Sequence, residues 1–221
     1  MIVLISYNRN PNVGVVGRAN DSLLLLPSNC PKRFSAKAAD ALQAEVLRTR
    51  ICGTSLIGSM VAMNNNGILL PKNIYGSERR KIKELELNVA VIEDKYTALG
   101  NLVLLNDYGA IVSSAFSNKA VKVMENNLDC EVEKGELAGF RTVGSLGIAT
   151  NKGALIHPLV EEEKLKWVEE ILHVDVDVGT VNRGIGFVRT GMIANSNGVV
   201  VGKETTGPEL ARIEDSLGLL R

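Results

Sequence analysis

Gly58-Ser-Met-Val-Ala-Met-Asn-Asn-Asn-Gly-Ile-Leu-Leu-Pro71 and Gly100-Asn-Leu-Val-Leu-Leu-Asn-Asp-Tyr-Gly-Ala-Ile-Val-Ser113 share one pattern. A glycine opens an apolar strand, an asparagine-rich turn ends on a second glycine, and a run of apolar residues follows. Gly144-Ser-Leu-Gly-Ile-Ala-Thr-Asn-Lys-Gly-Ala-Leu-Ile-His-Pro158 repeats it, and Gly191-Met-Ile-Ala-Asn-Ser-Asn-Gly-Val-Val-Val-Gly202 does so less regularly. A fifth copy without the second glycine begins at Gly14 and runs through Asn20-Asp21-Ser22 to Pro27. The turn glycines Gly67, Gly109, Gly153 and Gly198 stand 42, 44 and 45 residues apart, and Ser22 stands 45 before Gly67. A fixed period of this length is the signature of a repeat architecture.

Outward from each turn, the apolar spacing changes from strand to helix period. Phe34, Ala38, Leu42 and Val46 mark the first helix, and Ile82 and Leu85 the second. Val121, Met124 and Leu128 mark the third, Leu165, Val168 and Leu172 the fourth, and Leu210, Ile213 and Leu217 the fifth. Ser77 is a candidate cap for the second helix, and Thr206-Gly-Pro-Glu209 reads as a capping box with an early proline. A further strand follows each of the first four helices, most clearly Val89–Ile92 and Val174–Val178. The unit is strand, turn, strand, helix, strand, with approximate bounds 11–52, 53–94, 95–138, 139–182 and 183–221. The fifth unit reaches Arg221 directly after its helix, one strand short, while Ile2–Ser6 has no other assignment. Counting strands therefore predicts that residues 1–10 complete the last unit. The expected fold is a single-domain α/β protein, a closed ring of five pseudosymmetric repeats with no free sheet edge. A WD40-type propeller has a similar period, but its blades hold no helix.

The chain of 221 residues carries 25 basic and 25 acidic side chains, which argues against a protein that grips nucleic acid mainly through phosphates. Aromatic residues make up only 4%, leaving little for a base-stacking platform. Cys30, Cys52 and Cys130 lack C-x-x-C spacing and read as free thiols in a reducing compartment. With no signal-like start and no membrane-length apolar run, the expectation is a cytoplasmic protein without membrane contact.

The sequence resembles the translation initiation factor 6 family, the ribosome anti-association factors of archaea and eukaryotes. Asn12-Val-Gly14, Gly67-Ile-Leu-Leu-Pro71, Ala98-Leu-Gly-Asn101, Asn106-Asp-Tyr108 and Gly179-Thr-Val-Asn-Arg-Gly184 carry the resemblance, the last being the most specific. It implies the pentein fold, a five-bladed α/β propeller, and an archaeal type without the polar tail of eukaryotic members. It further implies a monomer that binds the large ribosomal subunit on its intersubunit side. The expected contacts are ribosomal proteins near the sarcin–ricin loop, with rRNA alongside. The bound factor blocks small-subunit joining and is released by a GTPase and its partner protein; a part in late subunit maturation is compatible with the same binding.

The pentein fold also hosts guanidino-modifying hydrolases and transferases that use a cysteine, a histidine and carboxylates. Here His157 and His173 are the only histidines, and residues 183–221 contain neither Cys nor His. His157 reads as a packed strand-end residue and His173 as a helix end. No metal-ligand spacing or phosphate loop is present, so no enzyme, cofactor or metal is expected. A ring-shaped adaptor for another assembly is the remaining alternative.

Five equivalent turns should gather on one face. Asn20, Asn64, Asn65, Asn66, Asn106, Asn151 and Asn195, with Arg18 and Asp107 nearby, are thus candidate binding residues. Asn182 and Arg183 of the hexapeptide join them. Asn and Gly also suit tight turns for purely conformational reasons. A rim of short donors and acceptors fits a wet protein contact.

Overall fold

A turn of two to four residues joins antiparallel strands, whereas a helical crossover returns the chain parallel. The computed structural model, which describes residues 1–219, shows this succession in each repeat, giving a three-stranded sheet whose middle strand follows the turn. Leu220 and Arg221, at the end of the fifth unit's expected range, lie outside the described residues. After β1 (Ile2–Ile5), the first unit has a 3₁₀ turn at Val13–Val15, β2 (Arg18–Ala19), β3 (Leu23–Pro27), α1 (Lys32–Leu42) and β4 (Glu45–Thr49). The second has α2 (Ile57–Met60), β5 (Ala62–Met63), β6 (Gly67–Pro71), α3 (Gly76–Lys83) and β7 (Asn88–Ile92). The third has α4 (Leu99–Leu102), β8 (Val103–Leu105), β9 (Gly109–Ser113), α5 (Asn118–Leu128) and β10 (Glu131–Gly135). The fourth has α6 (Val143–Leu146), β11 (Gly147–Ala149), β12 (Ala154–Ile156), α7 (Glu162–Leu172) and β13 (Val176–Val178). The fifth has a 3₁₀ turn at Val188–Gly191, β14 (Met192–Asn195), β15 (Gly198–Gly202) and α8 (Gly207–Ser216).

The missing strand of the fifth unit is β1, as strand counting predicts. It runs parallel to β15 with Val3 opposite Val200, and the Met1 amino group donates to the Asn197 carbonyl at 3.0 Å. The second helix begins earlier than the Ser77 reading, because its N-cap is Tyr75, whose N–H donates to the Glu78 carboxylate. The capping box at Thr206–Glu209 forms as expected, with the Thr206 N–H 2.7 Å from Glu209.

The middle strands are apolar without alternation because their two faces feed two different cores. In β3, Leu24 and Leu26 pack with Phe34, Ala38 and Leu42 of α1 and with Ile193 and Val200 of the fifth unit. Leu23 and Leu25 pack instead with Ile57, Ile68 and Ile82 of the second unit. Four outer helices rest on the sheet before their own, α5 on β6 and β7, α7 on β9, α8 on β12, and α1 on β1 and β15, and Ile82 of α3 packs with Leu23 and Leu25 of β3. Full burial of each such leucine contributes about 1.5–3 kcal/mol.

The short inner helices are crowded to backbone contact. A Cβ on Gly58 would lie 1.9 Å from the Gly14 carbonyl, one on Gly100 2.0 Å from that of Gly58, and one on Gly144 2.6 Å from that of Gly100. A Cβ on Gly14 would lie 1.9 Å from the Arg189 carbonyl. Helical contacts run from Val13–Val15 through α2, α4 and α6 to Val188–Gly191, which touches Val13–Val15 in turn. The fifth member of this series is Arg189, not Gly191. Arg189 stands 9 residues before Gly198, as Gly58 does before Gly67. Gly58→Ala should therefore lower unfolding stability in urea by about 1–3 kcal/mol, the usual cost of overpacking. Gly76→Ala, on α3 with nothing within 4 Å of its added Cβ, should not destabilise.

Candidate functional site

The asparagine turns do gather on one face, but the face is layered. Asn20, Asn64, Asn106 and Asn195 are buried, each 4–6% exposed. Each side-chain oxygen folds its own turn: Asn106 Oδ1 accepts from the N–H groups of Tyr108 and Gly109, and Asn64 Oδ1 from those of Asn66 and Gly67. Each Nδ2 reaches the next repeat. Asn20 donates to the Asn64 carbonyl, Asn64 to that of Asn106, Asn106 to that of Thr150, and Asn195 to that of Asn20. Three of them also satisfy the last carbonyl of a neighbouring helix, at Leu128, Leu172 and Leu42. Helix ends leave such carbonyls without intrahelical partners. These asparagines therefore lie inside the fold as fastenings between repeats, not on an open rim.

One residue further along each turn is a second, half-buried layer: Asp21, Asn65, Asp107, Asn151 and Ser196. It is cross-linked in the same order. The N–H of Ser196 donates to Asp21, that of Asp21 to Asn65, that of Asn65 to Asp107, and that of Asp107 to Asn151. Asn65 and Asn151 also donate side-chain N–H groups to Asp107. Among the described residues no corresponding bond joins the fourth turn to the fifth in either layer; in the deeper layer Thr150 stands where the other turns have an asparagine and has no amide to extend. Of the third residues of the turns, Ser22, Tyr108 and Lys152 are exposed, while Asn66 and Asn197 are half-buried and donate to the Leu128 carbonyl and to those of Asp21 and Leu42. Tyr108 is 48% exposed. Tyr108 and Lys152 escape a search for asparagines, but aligning the turns on their glycines brings them out.

Asn182 and Arg183 are not on this face. Asn195 pairs with Gly198 at one end of β15, while Asn182 packs against Gly202 at the other, roughly 13 Å away at strand spacing. They sit in a tight turn in which Asn182, Arg183 and Gly184 have φ of 50°, 66° and 96°. Asn182 is buried; its Nδ2 donates to the Pro11 carbonyl, its backbone N–H donates to Thr205 Oγ1, and its Oδ1 accepts from the Thr205 hydroxyl. Glu209 holds the turn, accepting from the N–H groups of Arg183 and Gly184 and from the Thr180 hydroxyl. Burial alone would raise the Glu209 pKa, but these bonds and those from Thr206 outweigh it and bring it to about 2. The Arg183 side chain is exposed and borders a groove of about 1140 Å³ that also holds Arg9, Arg33, Lys37 and Lys203, with Glu204 as the one acid among the described residues that line it. A neutral whole-chain charge hides this basic groove, because its residues come from the two ends of the chain.

Arg18 is also buried, 9% exposed, and with Arg189 it lines a small cavity where the five units meet. Arg189 donates to the carbonyls of Gly14, Met192, Gly17 and Gly58.

Comparison with known proteins extends over this whole arrangement. The eIF-6 family matches residues 2–216. The chain belongs to that family. Among its relatives, translation initiation factor 6 of Pyrococcus abyssi is 40% identical over 98% of this chain and 98% of its own. That of Methanocaldococcus jannaschii is 41% identical over 100% of this chain and 99% of its own. That of Haloquadratum walsbyi is 41% identical over 97% and 96%. All five turns, the short inner helices and the Gly179–Gly184 loop of this eIF-6 family member thus fall within the matched region.

The thiols of this eIF-6 family member are poorly suited to nucleophilic chemistry. Burial, with Glu78 adding, pushes Cys52 up to about 11; burial, with Asp107 and Asp129 adding, pushes Cys130 up to about 12. Burial also raises Cys30. A catalytic thiol needs the opposite shift. His157 is buried between Phe140 and Phe187, and its Nδ1 accepts from the Leu159 N–H. His173 is the C-cap of α7 in the left-handed conformation.

Two expectations follow from the fastenings. Asn106→Ala leaves two carbonyls and two N–H groups without partners and should cost about 2–4 kcal/mol in urea unfolding. Thr150→Asn supplies the amide missing between the fourth and fifth turns and should add about 0.5–1.5 kcal/mol. For Glu209, a lowered folded pKa means stability that is complete above the unfolded value near 4.3 and is lost as pH falls toward about 2. Glu209→Gln should lower the thermal midpoint at neutral pH, and its difference from the parent should close between those two pH values.

Proposed function

We propose that this protein is a translation initiation factor that binds the large ribosomal subunit and keeps the small subunit from joining it. The five units are read as a closed, five-bladed α/β ring of the pentein type, a single domain acting in the cytoplasm. The observation that carries the reading is the full-length kinship with proteins named translation initiation factor 6. The turn face supplies the physical means. Its backbone is fastened from beneath by Asn20, Asn64, Asn106 and Asn195, so docking costs little ordering entropy. Tyr108, 48% exposed, offers the kind of amphipathic anchor that dominates protein contacts, and Ser22 and Lys152 are exposed at the same position of other turns. The mechanism is steric exclusion: two bodies that need one surface cannot occupy it together.

On this reading the turn face meets ribosomal proteins, and Arg183 with its basic groove lies at the far end of the sheets, where it suits rRNA phosphates. A release GTPase and its partner protein complete the cycle. The raised thiols weigh against a guanidino-modifying enzyme on the same fold.

Sucrose-gradient sedimentation of purified archaeal subunits at graded magnesium tests the reading. The protein should co-migrate with the large subunit alone and reduce the joined-particle peak. Tyr108→Ala should weaken that binding about tenfold or more without moving the thermal midpoint. Protein left at the top of the gradient, with joining unaffected, would overturn the proposal.

A further inference from the structure

Two arginines break the fivefold pattern at its centre. Arg18 occupies a position that the other units fill with Ala62, Leu104, Ile148 and Ile193, each facing the equivalent residue of its middle strand. Arg189 occupies the position of Gly14, Gly58, Gly100 and Gly144. Both line one cavity of about 40 Å³, together with the inner strands and the turn residues Asp21, Asn65, Asp107 and Asn151. That is room for roughly three water-sized bodies.

The two are treated differently by their surroundings. Arg189 spends its terminal nitrogens on four carbonyls. Arg18 donates no hydrogen bond to any described group, and its buried Nε has no partner. Burial lowers its pKa to about 10, which leaves it charged at neutral pH. The carboxylates of the same cavity do not neutralise it. Asp21 binds Ser196 and Asn65, Asp107 binds Asn65 and Asn151, and neither forms an ion pair with Arg18 among the described residues. A buried, unpaired cation is expensive unless something compensates it.

We propose that this cavity is an anion site in which Arg18 holds one small monovalent anion, chloride in the cell. Arg18 supplies charge and a planar fork of donors, and Arg189 adds a second positive charge beside it. The volume excludes nucleotides and phosphorylated metabolites. The site lies inward of the half-buried turn layer and touches no exposed docking residue, so it stands apart from ribosome binding. Asp21 and Asp107 at its mouth would oppose exchange, and the ion would enter as the chain folds.

The test refolds the full chain from urea in sodium chloride, sodium bromide or sodium gluconate at equal ionic strength. The thermal midpoint in chloride should exceed that in gluconate by roughly 2–4 °C. Arg18→Met should show equal midpoints in the two salts. Crystals grown from bromide-refolded protein should give an anomalous peak in the cavity beside the Arg18 guanidinium, which decides the matter even if Arg18→Met fails to fold. Equal midpoints for the parent with no anomalous peak would overturn the proposal and leave the cavity to water. So would a chloride effect that persists undiminished in Arg18→Met.

Discussion

No unit of this protein can bury its own middle strand. Each strand has one face covered by its own side of the fold and the other by the next repeat's helix, so a single repeat would leave half its leucines in water. The helix that covers β6 is α5, and the helix that covers β15 is α1. Stability is therefore a property of the interfaces, as in other repeat proteins. It differs from an open array in one respect: the first helix covers the last sheet, and β1 supplies that sheet's third strand. Unfolding the first unit therefore uncovers two cores, one shared with the fifth unit and one with the second.

Much of this was legible in the sequence because strand, turn and helix each leave a periodic mark. The turn spacing predicts five units, and the count of strands predicts where β1 goes. What the letters do not carry is depth. A buried asparagine and a half-buried one are the same residue in the same turn: Asn64 is 4% exposed and Asn66, two positions on, is half-buried, although both donate to the Leu128 carbonyl. Asn182 and Arg183 mislead for a related reason. They resemble the other turns in composition, yet a turn at the opposite end of a strand belongs to the opposite face. Asn8, Arg9, Cys52 and Ala138 also take left-handed conformations, and at Cys52 and Ala138 the following glycines, Gly53 and Gly139, continue them.

Departures from the repeat say more than its consensus. Thr150 replaces an asparagine, and both layers of turn bonds lapse at that place, between the fourth and fifth units. Arg189 replaces a glycine in the next short helix and ties the first, second and fifth units together through Gly14, Gly17, Gly58 and Met192. A deficit at one end of the inner strands is thus set beside an added four-carbonyl clamp at the other. Strict symmetry would give five weak glycine contacts and no clamp. One arginine, placed once, reaches several units because the units converge there.

The same convergence gives the turn face a firm backbone, which suits the binding role proposed for it. Interface energy depends on how much freedom is lost on docking as well as on what is touched. The exposed residues of the turns sit only one position beyond the cross-linked layer, and that layer sits one position beyond the buried fastenings. Motion of an exposed turn side chain is restrained because the backbone under it is bonded to neighbouring repeats, on both sides for the second and third turns and on one side for the fourth. A face of this kind gains little from large apolar contacts and much from shape held in advance. Its sequence can accordingly remain polar, short-chained and neutral, a composition that in a flexible loop would bind weakly.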